Sequence, residues 1–249
     1  TAAFIWRLIL TTGTGSIFGF LVARQGYDAA IMAPRFIIMS FSAGVAIFML
    51  VLMAAYKWTG RDLGDAILYR LRNLLAVFVS AVLYFVLVYH LTNLYATEHH
   101  GVQSFILLGE NGGAKYSAIF WWVQILLGSV IPLVICFTSL GKQRLMMGIA
   151  SALVIIGGLA QMYVIIIGGQ AYPLEIFPGM EVISSGFMDG VPAAYSSSLP
   201  EFLLGGGMGI GLALALVVIG ITVLRFLPES LADDVIDPHY AASTDGAKA

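Results

Sequence analysis

The sequence predicts an all-α integral membrane protein with six transmembrane helices, on three observations. Of its 249 residues, 59% are hydrophobic and only 10% are charged, whereas a water-soluble domain carries about a quarter charged residues. Mean hydropathy is +0.93. The apolar residues gather in stretches of about 20, the length that crosses a bilayer core; they lie near 3–23, 33–56, 74–96, 117–139, 145–168 and 202–226. Lipid offers no partner to a bare peptide group, so each stretch must be a helix that satisfies its own backbone. This places a transmembrane domain at 1–228 and a polar tail at 229–249.

In the first span, Gly13, Gly15 and Gly19 among Thr12, Thr14 and Ser16 form a close helix-packing face, since a phosphate loop has no place inside a membrane. Thr1 starts near this run without an initiator Met, so upstream sequence is expected to be missing or processed, with a cleaved signal peptide as the alternative. The second span opens at Pro34 and Arg35; the arginine either snorkels to the interface or faces a site. Between the second and third spans, 57–73 carries Lys57, Arg61, Arg70 and Arg72. The third contains His90 and Asn93 near its far end. Trp121, Trp122 and Gln124 open the fourth, the Trp residues as interfacial anchors. A tight turn at 140–144 adds Lys142 and Arg144, and Gln161 and Tyr163 close the fifth span. The stretch 167–202 mixes Gly, Pro and Ser with Ile, Val, Phe and Tyr, which suggests an ordered outer loop or a plain connector. After Pro228 the chain turns acidic, then small and polar, as an extension that is mobile at its end.

Basic residues divide these connections. The set at 57–73 and 140–144, with Arg225 and Lys248, lies on one side, and the opposite side holds Arg24, Arg35 and Lys115. The positive-inside rule makes the first side cytoplasmic and gives a cytoplasmic C-terminus. A net charge of -2 gives no reason to expect nucleic acid as a partner. The single cysteine, Cys136, excludes a disulfide framework or an iron-sulfur cluster held by this chain. No b-type haem is expected either: His90 lies in a span, but His99, His100 and His239 lie in loops or the tail, and a haem between helices needs two ligands at matching depth.

Polar side chains within the spans collect toward the outer face: Arg24, Tyr27, Asp28, Arg35, His90, Asn93, Gln124 and Gln161. The inner halves offer chiefly Arg7, Thr11, Thr12, Asn73 and Ser151, a broken ladder for a proton or ion wire. A pocket reached from the outer leaflet suits quinone, whose carbonyls need donors and whose quinol form needs acceptors. Neutral histidine supplies one of each. His90 and Asn93, at i and i+3, share a helix face, with Tyr89 and Tyr95 at neighbouring angles. The alternative is that His90 only joins helices, through a hydrogen bond worth about 0.6 kcal/mol in membranes.

Several stretches then carry a resemblance: IMAPRF (31–36), YFVLVYHLTNLY (84–95), FWWVQILLGSVIPL (120–133), GGLAQMYVIIIGGQAYPL (157–174) and YSSSLPEFLLG (195–205). Together they resemble the polysulfide reductase membrane-subunit family (NrfD/PsrC-like), within it the HybB and DsrP branch; the AQMYVIIIGGQAYPL block is similar above all to DsrP, of a complex associated with sulfite reductase. The resemblance implies a ten-helix fold of two four-helix bundles plus extra helices, of which this chain would be the C-terminal part. It further implies electron exchange between menaquinone or ubiquinone and an extracytoplasmic iron-sulfur, ferredoxin-like subunit, beside cytochrome-bearing membrane subunits, in the cytoplasmic membrane of a bacterium or archaeon. The first span would supply one wall of the quinone site through Thr11, Thr12, Thr14 and Arg24, joined by Tyr89, His90, Asn93, Arg35 and Gln124. Hydrogenase-type relatives carry His near Thr11 and Thr12, and Glu at the positions of Tyr89 and Gln161. Those losses argue against proton translocation here. A secondary transporter and a purely structural anchor for a redox partner are the competing functions.

Overall fold

The computed structural model describes residues 2–172, 198–223 and 227–233. Seven helices account for most of them. They are α1 (Ala2–Gly19), α2 (Met32–Thr59), α3 (Asp65–Tyr95), a shorter helical segment α4 (97–108), α5 (Ala114–Phe137), α6 (Arg144–Ala171) and α7 (Leu199–Thr222). The only strand-like pairing among the described residues is an isolated bridge between Leu63 and Leu231. Five helices, α2, α3, α5, α6 and α7, are long and apolar enough to cross a membrane. The sequence expectation was six. The first forms as a helix of 18 residues, but Arg7 and the polar and glycine run from Thr11 to Ser16 dilute its apolar character. A second difference is the start of α3, at Asp65 rather than near 74. Charged residues end the apolar zone without ending the helix, because Arg70 and Arg72 are good helix formers. The expected outer loop at 167–202 and the distal tail lie largely outside the described residues.

The chain divides into two compact units, Thr1–Leu50 with Leu71–Ala194, and Val51–Arg70 with Tyr195–Ala249. In the first, α1 meets the start of α2 through glycine. A Cβ on Gly15 would come within 2.7 Å of the Ala33 Cα, and one on Gly19 within 3.0 Å of the Ala29 carbonyl oxygen, while Gly13 has open space. Two of the three glycines thus form the expected packing face. Stacked rings continue the contact, Phe18 on Phe36 at 5.2 Å, and Phe41 on Phe78 at 5.3 Å carries it on to α3. The α5–α6 crossing is tighter: a Cβ on Gly128 would strike the backbone of Gly157, and the reverse. Beside that crossing lies a small cavity lined by Ser42, Ser129, Gln161 and neighbouring apolar groups, with about 20 Å³ of water-accessible space, room for a single water. Arg72 donates to the Gly141 carbonyl at 3.1 Å, so Arg72 and the basic 140–144 turn share one end of this unit.

The second unit is tied by backbone. Arg61 donates to the carbonyls of Leu227 and Pro228 at 3.0 and 3.2 Å, and Tyr56 donates to Pro228 at 3.1 Å. Gly64 N–H donates to Leu231 at 2.8 Å, Leu231 N–H to Asp62 at 2.9 Å, and Ala66 N–H to the Asp233 carboxylate at 3.0 Å.

Candidate functional site

The connection 20–31, between α1 and α2, covers one end of the first unit and is fastened by its own polar groups. Arg24 donates to the carbonyls of Gln170 and Tyr172, both at 3.1 Å, and Tyr27 to Ile166 at 3.0 Å. His99, through Nδ1, donates to the Gln25 carbonyl at 2.8 Å. Tyr89 reaches up from α3 to donate to the Gly26 carbonyl. Burial pushes the Tyr27 hydroxyl up to about 12, so it remains a donor across the physiological range.

Beneath that cover, buried polar side chains form a connected cluster. Arg35, at the start of α2, is 3% exposed, and its Cζ sits 4.6 Å from the centroid of the Tyr89 ring. Tyr89 touches His90 edge to face at 5.0 Å, and His90 touches Phe120 of α5 at 4.9 Å. Asn93, one turn beyond Tyr89, is buried. His90 Nδ1 lies 2.6 Å from Gln103 Oε1. Because that oxygen can only accept, Nδ1 carries the proton and Nε2 keeps a lone pair. Gln124, four residues beyond Phe120, is 2% exposed.

Several atoms here have no partner among the described residues: Arg35 Nε and Nη1, His90 Nε2, Gln103 Nε2 and both amide atoms of Gln124, together with Gln161 Nε2 at the small cavity. A buried polar group left unpaired costs about 1–3 kcal/mol, and more is at stake for a guanidinium. On insertion scales a charged residue at a helix centre costs about 2.5–3.5 kcal/mol, while a desolvated cation–π contact returns about 2 kcal/mol. The remainder calls for a further acceptor. The wide i→i+5 turns of α5 from Ile119 to Val130, and of α6 from Val164 to Gly168, flank the cluster; such turns are frequent at functional sites.

The structure brings together Arg35, Tyr89, His90 and Asn93, with Gln124 buried on the neighbouring α5. It does not bring the α1 threonines to them. Thr11, Thr12 and Thr14 each donate to a carbonyl one turn back in their own helix, at 2.9, 2.7 and 3.0 Å. Arg24 holds the end of α6, and Tyr95 is 91% exposed. Sequence reasoning missed Gln103, which is fully buried. It lies in a stretch read as an outer connection, and the signal was the amphipathic run VQSFILL within it.

A helical membrane protein with a donor-rich polar cluster buried under one end of its spans is the class that fold and site define. The chain belongs to the polysulphide reductase NrfD family, whose model matches residues 1–173. It is similar to the Hdr-like menaquinol oxidoreductase integral membrane subunit of Archaeoglobus fulgidus, at 26% identity over 94% of this chain and 59% of that protein. It is also similar to a subunit of the selenate reductase of Mesobacillus selenatarsenatis, at 29% identity over 75% of this chain and 39% of that protein. The chain thus spans less than two thirds of the length of either relative. No solved structure gives a significant match.

Proposed function

We propose that this chain is a quinone-facing membrane subunit of a respiratory electron-transfer complex. It exchanges electrons between the quinone pool and an extracytoplasmic iron-sulfur, ferredoxin-like partner, in the metabolism of sulfur compounds. The name of the Archaeoglobus relative favours menaquinone, and the DsrP-like block at 160–174 favours the sulfur setting. The basic residues at 57–73 and 140–144 support insertion in a bacterial or archaeal cytoplasmic membrane with the C-terminal tail, 229–249, inside.

The observation that carries the proposal is the set of unpartnered atoms around His90. Bound quinol would supply two electrons and two protons. The residues fit such a ring: His90 Nε2 offers an acceptor to a hydroxyl, and Gln103, Gln124 and Arg35 offer donors to carbonyl oxygens. Gln103 fixes the tautomer of His90, Asn93 is buried one turn beyond Tyr89, and the 20–31 connection shields the cluster from water. The test is quinol-dependent reduction of the partner's iron-sulfur centres in the purified complex. His90→Ala should slow it about tenfold, the worth of one hydrogen bond to the ligand, and Asn93→Ala should slow it less. Unchanged rates in both would leave the chain as a structural anchor.

A further inference from the structure

Arg35 carries a charge that nothing in the described protein answers. Its electrostatic neighbours there are Tyr89, stacked beneath it, and His90. No carboxylate is among them. Tyr89 donates its hydroxyl proton to the Gly26 carbonyl, so the ring lends Arg35 its π face and leaves Nε and Nη1 unbonded. His90, with Nδ1 committed to Gln103, brings no negative charge. The cluster is therefore net positive and richer in free donors than in free acceptors, in a water-excluded site where charge counts for more than at a surface. Such a site discriminates between two states of the same ring. A neutral hydroxyl meets a guanidinium that can only donate, whereas an ionised ring oxygen gains charge-assisted hydrogen bonds from it.

We infer that the Arg35 cluster selects the ionised form of a hydroxylated aromatic ring, with Arg35 as counter-ion to the ring oxygen and Tyr89 as the platform that fixes the guanidinium. This rests on the quinone reading above and adds to it the protonation state that the site prefers. Lysine would keep the charge but lose the planar fork and the stacking.

Two probes separate the ideas: 2-heptyl-4-hydroxyquinoline N-oxide, which ionises, and its O-methyl ether, which cannot. Both are titrated by fluorescence into the complete membrane complex at a pH where the parent is ionised. The wild type should bind the parent about tenfold or more tighter than the ether, as a charge-assisted bond implies. Arg35→Gln should bring that ratio close to one by weakening the parent far more than the ether, and Arg35→Lys should retain part of the preference. An Arg35→Gln protein that keeps the wild-type ratio overturns the inference and leaves the quinone reading standing. So does a wild-type ratio near one, which decides the matter even if the glutamine variant fails to assemble. If neither probe binds the wild type, the quinone reading falls and the inference with it.

Discussion

Gly157 and Gly158 are adjacent, chemically identical and physically opposite. A methyl group on the first would enter the backbone of Gly128, whereas one on the second would meet nothing within 4 Å. Gly157→Ala should therefore destabilise the protein by about 1–3 kcal/mol through overpacking. Gly158→Ala should be neutral to slightly favourable, because alanine is the better helix former. Thermal unfolding of the two variants in detergent, side by side, measures the difference free of the effects of detergent or handling. Their sequence, GG within an apolar run, offers no way to tell them apart. It takes a facing glycine, 29 positions earlier in the chain, to make one of them indispensable. Arg35 shows the same limit from the other direction. Beside Pro34 at a helix start it reads first as an interface anchor, and only the Tyr89 ring beneath it, from another helix, makes it a buried charge.

Among the elements, α3 depends on a residue far along the chain. Its first turn has no preceding side-chain cap from Gly64; instead the Asp233 carboxylate accepts from Ala66 N–H. An acidic group at a helix start is also favoured by the helix dipole. Asp233→Ala should cost about 0.5–2 kcal/mol, the usual worth of such a cap, and Asp233→Asn should recover most of it. Hydrogen exchange at the amides of residues 65–68 reads this locally, with faster exchange expected in the alanine variant. The spans themselves were legible, since apolar runs of bilayer length leave the chain no alternative to helix. The helix of span 3 begins before the apolar run does, because hydropathy marks where lipid ends and not where the helix does. Segment α4 was overlooked for a related reason: at 97–108 it is too short to register as a span. Yet it delivers Gln103, the partner of His90.

For the whole molecule, the sidedness of the basic connections makes a direct prediction. In a Cys136→Ser background, Lys142→Cys should react with an impermeant maleimide only after the membrane is opened. Asn111→Cys, in the turn before α5, should react in intact cells. The reverse pattern would invert the assignment of inside and outside. Composition disclosed the membrane, and the gathering of polar residues toward one end of the spans disclosed the neighbourhood of the cluster. What it could not disclose was membership. His90 and Asn93 share a helix face, as their spacing requires, but Thr11, Thr12 and Thr14 satisfy themselves within α1, which residue type alone does not reveal.

The cover formed by residues 20–31 has one more implication, for how the chain is made. Arg24 and Tyr27 emerge from the ribosome early, but the carbonyls they grip belong to residues 139 to 148 positions later. Until α6 has been threaded into lipid, the arginine and the tyrosine have nothing to hold. The roof of the first unit must therefore close last, and any substitution that delays α6 should leave newly made chains open at that end and vulnerable to proteases there.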